Sequence, residues 1–97
     1  MESFDTSKLN GYAHMIAVLR SLERELGLTE LTKLERNILA ALSLEEFKDG
    51  ARTENLINHN ILDSPTQSSF YRALKRLRDG KFVDTVGDRK TGLYHLV

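Results

Sequence analysis

The stretch from Asp63 to Val97 constrains the fold more than any other part of this chain. It reads Asp-Ser-Pro-Thr-Gln-Ser-Ser-Phe-Tyr-Arg-Ala-Leu-Lys-Arg-Leu-Arg-Asp-Gly-Lys-Phe-Val, then a basic turn between two short apolar runs. Phe70, Ala73, Leu74 and Leu77 recur at helical spacing and predict one apolar stripe. Ser64 or Asp63 is expected to cap this helix, with Pro65 in its first turn, where a missing N–H costs nothing. Gly80 is expected to stop it. The helix therefore runs from about 65 to 79. Beyond it, residues 82–86 and 93–97 are rich in β-branched, aromatic and aliphatic side chains. They suit two strands joined by a hairpin turn over 87–92.

On the face opposite the apolar stripe, about 100° per residue places Ser68, Arg72, Lys75 and Asp79, flanked by Tyr71 and Arg76. Such side chains donate to base edges or phosphates, and Arg grips guanine with two hydrogen bonds. Thr66, Gln67, Ser68 and Ser69 lie at the helix N-terminus, the end most often presented to bases. Free N–H groups there also favour phosphate. A basic amphipathic helix is also a common solvated surface element, so the order of the surrounding elements has to be weighed with it.

The net charge of the whole chain is zero, which by itself argues against a nucleic-acid partner. Its distribution points the other way. Residues 1–50 carry six Lys/Arg and nine Asp/Glu, a net of −3, whereas residues 51–97 carry eight and five, a net of +3. A local patch, rather than the total, sets the field that DNA meets.

Upstream, Asp5, Thr6 or Ser7 is expected to open a first helix that runs to Leu26 and stops at Gly27. Leu9, Tyr12, Ile16 and Leu19 make one stripe, and Met15, Val18, Leu22 and Leu26 a second beside it. Together they span an apolar arc of about 200°, wider than a helix that buries one side needs. This predicts a second packing surface, most simply another copy of the chain, with Leu9, Tyr12, Met15, Ile16, Leu19, Leu22 and Leu26 as the dimerisation residues. Thr32-Lys-Leu-Glu35 is a capping box that opens a second helix, expected from Lys33 to Phe47 with Leu34, Ile38, Leu39, Ala41, Leu42 and Phe47 on its buried face. Ala51-Arg52-Thr53 suits a short strand leading into a third helix capped by Thr53, with Leu56, Ile57 and Ile61 as its apolar residues.

Helix, short strand, helix, turn, basic helix and two-stranded wing, in that order, resemble a winged helix-turn-helix domain. Within that superfamily the chain is most similar to the MarR-like bacterial transcription regulators. Leu31-Thr32, Thr53, the run Ser68 to Leu77, and Gly80-Lys81-Phe82-Val83 carry the likeness, over residues 30–97. The expected fold is thus mainly α with a small β-hairpin wing: a winged helix-turn-helix domain (30–97) preceded by an N-terminal helix (5–27). The segment between Ile57 and Phe70 is slightly longer than the common pattern. The resemblance implies that Ser68, Ser69, Tyr71, Arg72 and Lys75 face the major groove. It also implies that Arg89 or Lys90 sits at the wing tip against backbone or minor groove. MarR-like proteins dimerise through helices at both ends and bind small aromatic ligands between the dimerisation and DNA-binding parts. Here only the N-terminal helix is available for dimerisation, and no effector is assigned.

The expected function is sequence-specific binding of double-stranded DNA by a small dimeric regulator. The competing reading is a winged-helix protein-interaction module that does not bind DNA, with the wide arc of the first helix as its partner site. No enzyme, cofactor or metal is expected. His14, His59 and His95 lack metal-ligand spacing, and Glu23/Glu25 and Glu45/Glu46 suit solvated helix faces. No Gly-rich phosphate loop follows a strand. The absence of cysteine leaves no disulfide framework, which fits the cytoplasm. No apolar run approaches the roughly 20 residues that span a membrane, and Met-Glu-Ser-Phe-Asp is not a signal peptide.

Overall fold

The computed structural model describes residues 5–87 and 92–97. The chain divides into two compact units, Met1–Leu31 and Thr32–Val97.

The first unit holds one helix, α1 (Thr6–Glu25). Asp5 opens it, its Oδ1 accepting the N–H groups of Ser7 (3.0 Å) and Lys8 (3.2 Å). The helix ends in a Schellman motif. Gly27, at φ +72°, donates to Arg24 O, and Leu28 donates to Glu23 O at 2.8 Å. The left-handed residue is the glycine that the sequence marks as the stop. Every predicted dimerisation residue of α1 is exposed, from Ile16 at 37% to Met15 at 72%. Glu23, expected on a solvated face, is instead buried, and both its carboxylate oxygens lie 3.3 Å from Arg20 Nη1.

The second unit is mainly helical with a small antiparallel β wing, as the sequence predicts. The capping box at Thr32 forms: its Oγ1 accepts Glu35 N–H at 3.2 Å, and Glu35 Oε1 accepts Thr32 N–H at 2.7 Å. Helix α2 spans Lys33–Leu42, shorter than expected. Ser43 Oγ donates to Ala40 O at 2.6 Å, and Leu44 adopts an extended conformation. A serine that bonds back to the preceding turn competes with helix propagation. Phe47, expected at the helix end, therefore reaches the core from a separate 3₁₀ turn, Glu45–Phe47. Leu34 is only half-buried.

Strand β1 (Ala51–Arg52) leads directly into α3 (Thr53–Ile57). Thr53 is the first residue of this helix and makes no capping bond, so the predicted cap is corrected. A 3₁₀ turn, Asn60–Leu62, follows in place of a continued third helix; Leu62 is buried, and Ile61, expected among that helix's apolar residues, is half-buried. Asp63 and Ser64 both adopt left-handed φ (57° and 54°). Two such residues in succession reverse the chain and place neither side chain at a helix start. The cap of α4 (Gln67–Asp79) is consequently Thr66, whose Oγ1 accepts Ser69 N–H at 3.2 Å, and Pro65 lies outside the helix. Phe70, Ala73, Leu74 and Leu77 are all buried, as the periodicity requires.

The predicted hairpin is one part of a three-stranded sheet in the order β1-β3-β2, where β2 is Val83–Thr85 and β3 is Leu93–Leu96. Val83 pairs with Leu96 and Thr85 with Tyr94, while Ala51 of β1 pairs with Tyr94 from the other side. Gly50 makes this closure possible: its φ is +110°, and a Cβ there would lie 2.8 Å from Val86 Cγ2 and 3.2 Å from Leu93 Cβ. Phe70, Ile38, Leu56, Leu77 and Val83 are the largest fully buried side chains and join α2, α3, α4 and β2 in one core. Each contributes about 1.5–3 kcal/mol of burial free energy.

Candidate nucleic-acid interface

Helix α4 presents two different flanks around its outward stripe. Ser68, Arg72, Lys75 and Asp79 are all exposed, opposite the buried face. The stripe belongs to a helix anchored by four buried side chains, so it is presented by a rigid element. Arg72 and Lys75 pair with no carboxylate among the described residues. They are free to meet an external anion.

On one flank the predicted site is modified. Arg76 lies toward α2, its Nε 3.4 Å from Glu35 Oε2. Glu35 is buried at its helix N-terminus and already accepts Thr32 N–H. Arg76 thus ties α4 to α2, while its own side chain remains half-exposed (55%). Ser69, on the same side, is half-buried, and its Oγ accepts the Thr66 hydroxyl at 2.9 Å. The hydroxyls of Thr66 and Ser69 are engaged in the cap; Gln67 and Ser68 are exposed at the helix start, with Ser68 Oγ 3.5 Å from Thr66 Oγ1. The backbone Ser69 N–H is also taken up by Thr66.

On the other flank Tyr71 donates its hydroxyl to Thr53 Oγ1 at 3.3 Å and so joins α4 to the first residue of α3. Its ring meets Phe70 edge-on, with centroids 5.2 Å apart. Tyr71 separates two grooves. One, of about 510 Å³, runs between α3 and the start of α4 and is lined by Thr53, Glu54, Pro65 and Gln67. The other, of about 700 Å³, runs between α4 and the sheet and is lined by Leu74, Lys75, Arg78, Asp79, Lys81, Val83, Asp84, Tyr94 and Val97. Arg78 and Lys81 belong to the five cations that the sequence gathers within residues 66–81, against Asp79 alone, but are not among the predicted contact residues.

The end of α4 explains why Lys81 lies there. Phe82 N–H bonds Leu77 O at 2.9 Å and Lys81 N–H bonds Arg78 O at 3.0 Å, the same Schellman pattern that ends α1. In α1 the left-handed position is held by Gly27; in α4 it is held by Lys81, at φ +66°. Gly80 has ordinary helical geometry, at φ −81°. Its constraint is one of space instead, since a Cβ would sit tightly against the Phe82 ring at 3.1 Å and Arg76 O at 3.3 Å.

Arg89 and Lys90, the predicted wing-tip contacts, lie outside the described residues. Of the three histidines, His14 and His95 are exposed, whereas His59 has a structural role. His59 Nδ1 accepts Ile61 N–H at 3.2 Å, which places the proton on Nε2, and Nε2 donates to Glu46 Oε1 at 3.0 Å. The ring packs edge-on against Phe47. Glu46 is therefore a partner of His59 and not merely a solvated side chain. Among the described residues no group of three or more His, Asp or Glu side chains is arranged to hold a metal ion, and no helix is long and apolar enough to cross a membrane. No family model, curated protein or solved structure matches this chain.

Proposed function

We propose that the chain is a sequence-specific double-stranded DNA-binding protein of the winged helix-turn-helix type, similar to MarR-like regulators, acting in the cytoplasm as a homodimeric transcription regulator. One observation carries this reading. The exposed Ser68-Arg72-Lys75 stripe lies on a helix whose opposite face is fully buried, and neither of its cations is neutralised by a carboxylate among the described residues. In this reading α4 lies in the major groove. Gln67, Ser68 and Arg72 reach base edges, Lys75 and Tyr71 meet the backbone, and the wing follows the flanking strand. The exposed apolar residues of α1 supply the contact with a second copy. Two-fold symmetry then implies a near-palindromic site with half-sites about one helical turn apart.

The same α1 surface favours the second reading, in which the chain joins a different protein and binds no DNA. Fluorescence anisotropy with a pool of random-sequence duplexes, from low to physiological salt, separates the two. DNA binding is expected to weaken steeply with salt as counterions return to the phosphates. Absence of binding at low salt would overturn the DNA reading and direct the search to protein partners of residues 9–26.

A further inference from the structure

From the groove between α4 and the sheet we infer a seat for the sugar–phosphate backbone of one DNA strand, with Lys75, Arg78 and Lys81 as its phosphate-binding side chains. The inference rests on the DNA-binding reading and adds two residues and a location to it.

Three observations converge on this groove. Lys75, Arg78 and Lys81 line it together, and none of them pairs with a carboxylate among the described residues. Arg76, on the opposite flank of the same helix, is bound to Glu35. The unpaired cations of this helix end are thus gathered on the groove side. The second observation is the backbone of Lys81. Glycine fills the left-handed position of the same motif at the end of α1 without steric cost, yet here a lysine occupies it. A side chain kept against its backbone preference, at the rim of a groove, has a use as a side chain. The third is the composition of the floor. Leu74, Val83 and Tyr94 give it an apolar surface beneath a cationic rim. A free phosphate needs no apolar floor, whereas a nucleic-acid strand offers both a deoxyribose face and phosphates spaced along it.

Asp79 and Asp84 also line the groove, so its side chains sum to one net positive charge. Asp84 is engaged, since its Oδ1 accepts Thr85 N–H at 2.8 Å. Asp79 stands on the outward stripe, one residue from Arg78. The cations outnumber them and, unlike the carboxylates, can donate to phosphate oxygens.

The test is duplex binding by the double variant Arg78→Gln/Lys81→Asn, measured by anisotropy across salt. Asparagine removes the charge while tolerating a left-handed backbone, and a thermal melt checks that the fold is retained. Two phosphate contacts correspond to a salt slope shallower by about 2. Affinity is expected to fall equally for preferred and random duplexes, with the preferred sequence unchanged. The charge-keeping double variant Arg78→Lys/Lys81→Arg is expected to restore the slope. If the neutral variant binds with the wild-type slope while wild-type protein binds DNA, the seat is overturned and the DNA reading stands. A changed preferred sequence would make these residues base readers and would also overturn the seat. If wild-type protein binds no duplex at low salt, both fall together, and that failure is visible without any variant.

Discussion

The Nε of Arg76 lies 3.4 Å from Oε2 of Glu35, whose other oxygen accepts the Thr32 N–H. One buried carboxylate therefore closes the start of α2 and fastens the last turn of α4 to it. Arg76→Ala leaves Glu35 buried without its cation, and removing one partner of a buried pair is costly. Because the arginine is half-exposed and Glu35 keeps its backbone partner, a loss of about 1–3 kcal/mol is expected. Thermal denaturation should show it as a fall in Tm of about 4–8 °C per kcal/mol. Glu35→Gln should keep the cap and lose only the ion pair, so its Tm should fall less than that of Glu35→Ala.

The helix stop can be divided between its two residues. Lys81→Gly relieves a left-handed lysine and is expected to stabilise the fold by about 0.5–1 kcal/mol. Gly80→Ala should do the opposite, since its Cβ meets the Phe82 ring and a backbone oxygen. Urea denaturation of both variants would distinguish this arrangement from one in which Gly80 supplies the left-handed turn.

Gly50→Ala should be among the most damaging single-methyl additions in the chain. The backbone is left-handed there, and the new methyl would lie 2.8 Å from Val86 Cγ2. A loss of more than about 1–3 kcal/mol is expected, in the range of overpacking with added backbone strain. Equilibrium unfolding would show it, with m unchanged if only the native state is affected.

Two neighbours on the outward stripe should separate by kind of effect. Arg72→Ala is expected to cost about 1–3 kcal/mol of discrimination between cognate and random duplexes. Lys75→Ala should weaken both equally and lower the salt slope by about 1. Competition anisotropy at two salt concentrations reads both quantities, and equal behaviour of the two variants would contradict the assignment of roles.

For α1, Met15→Glu/Leu19→Glu should leave the helix intact, because both positions are exposed in its own unit and Glu is a good helix former. In the dimer reading it converts the protein to a monomer in sedimentation velocity. A wild-type chain that sediments as a monomer would remove α1 as a homodimer contact.

Much of the scaffold was legible because it depends on local periodicity. The stripe Phe70-Ala73-Leu74-Leu77 and the Thr32–Glu35 box are written in spacing alone, and both form as read. What spacing could not supply were choices made by tertiary contacts. Leu62 rather than Ile61 is buried because a 3₁₀ turn replaces a continued helix. The Asp63-Ser64 reversal moved the cap to Thr66. Gly80 looked like a conformational glycine because that is the commonest use of glycine at a helix end; its real constraint is a ring that arrives from two residues later. Arg76 reads as one more surface cation until α2 brings Glu35 beside it. Lys81 carried a weak signal, a cation directly after a helix-stopping glycine, whose meaning depends on the φ of the motif.

The position of β3 between β1 and β2 has a consequence for how this domain comes into being. The two outer strands have no hydrogen-bonded contact with each other in the sheet order, and both depend on residues 93–96. On a ribosome, Ala51 and Arg52 emerge long before the strand that pairs with them. Until then α2, α3 and α4 can gather around Phe70 and Ile38, but the β1 edge waits unpaired. Pairing β1 with β3 is a closure of long sequence separation, of the kind that is slow relative to helix formation. A chain in which residues 93–96 are withheld or mispaired would leave both outer strands without their hydrogen-bonded neighbour.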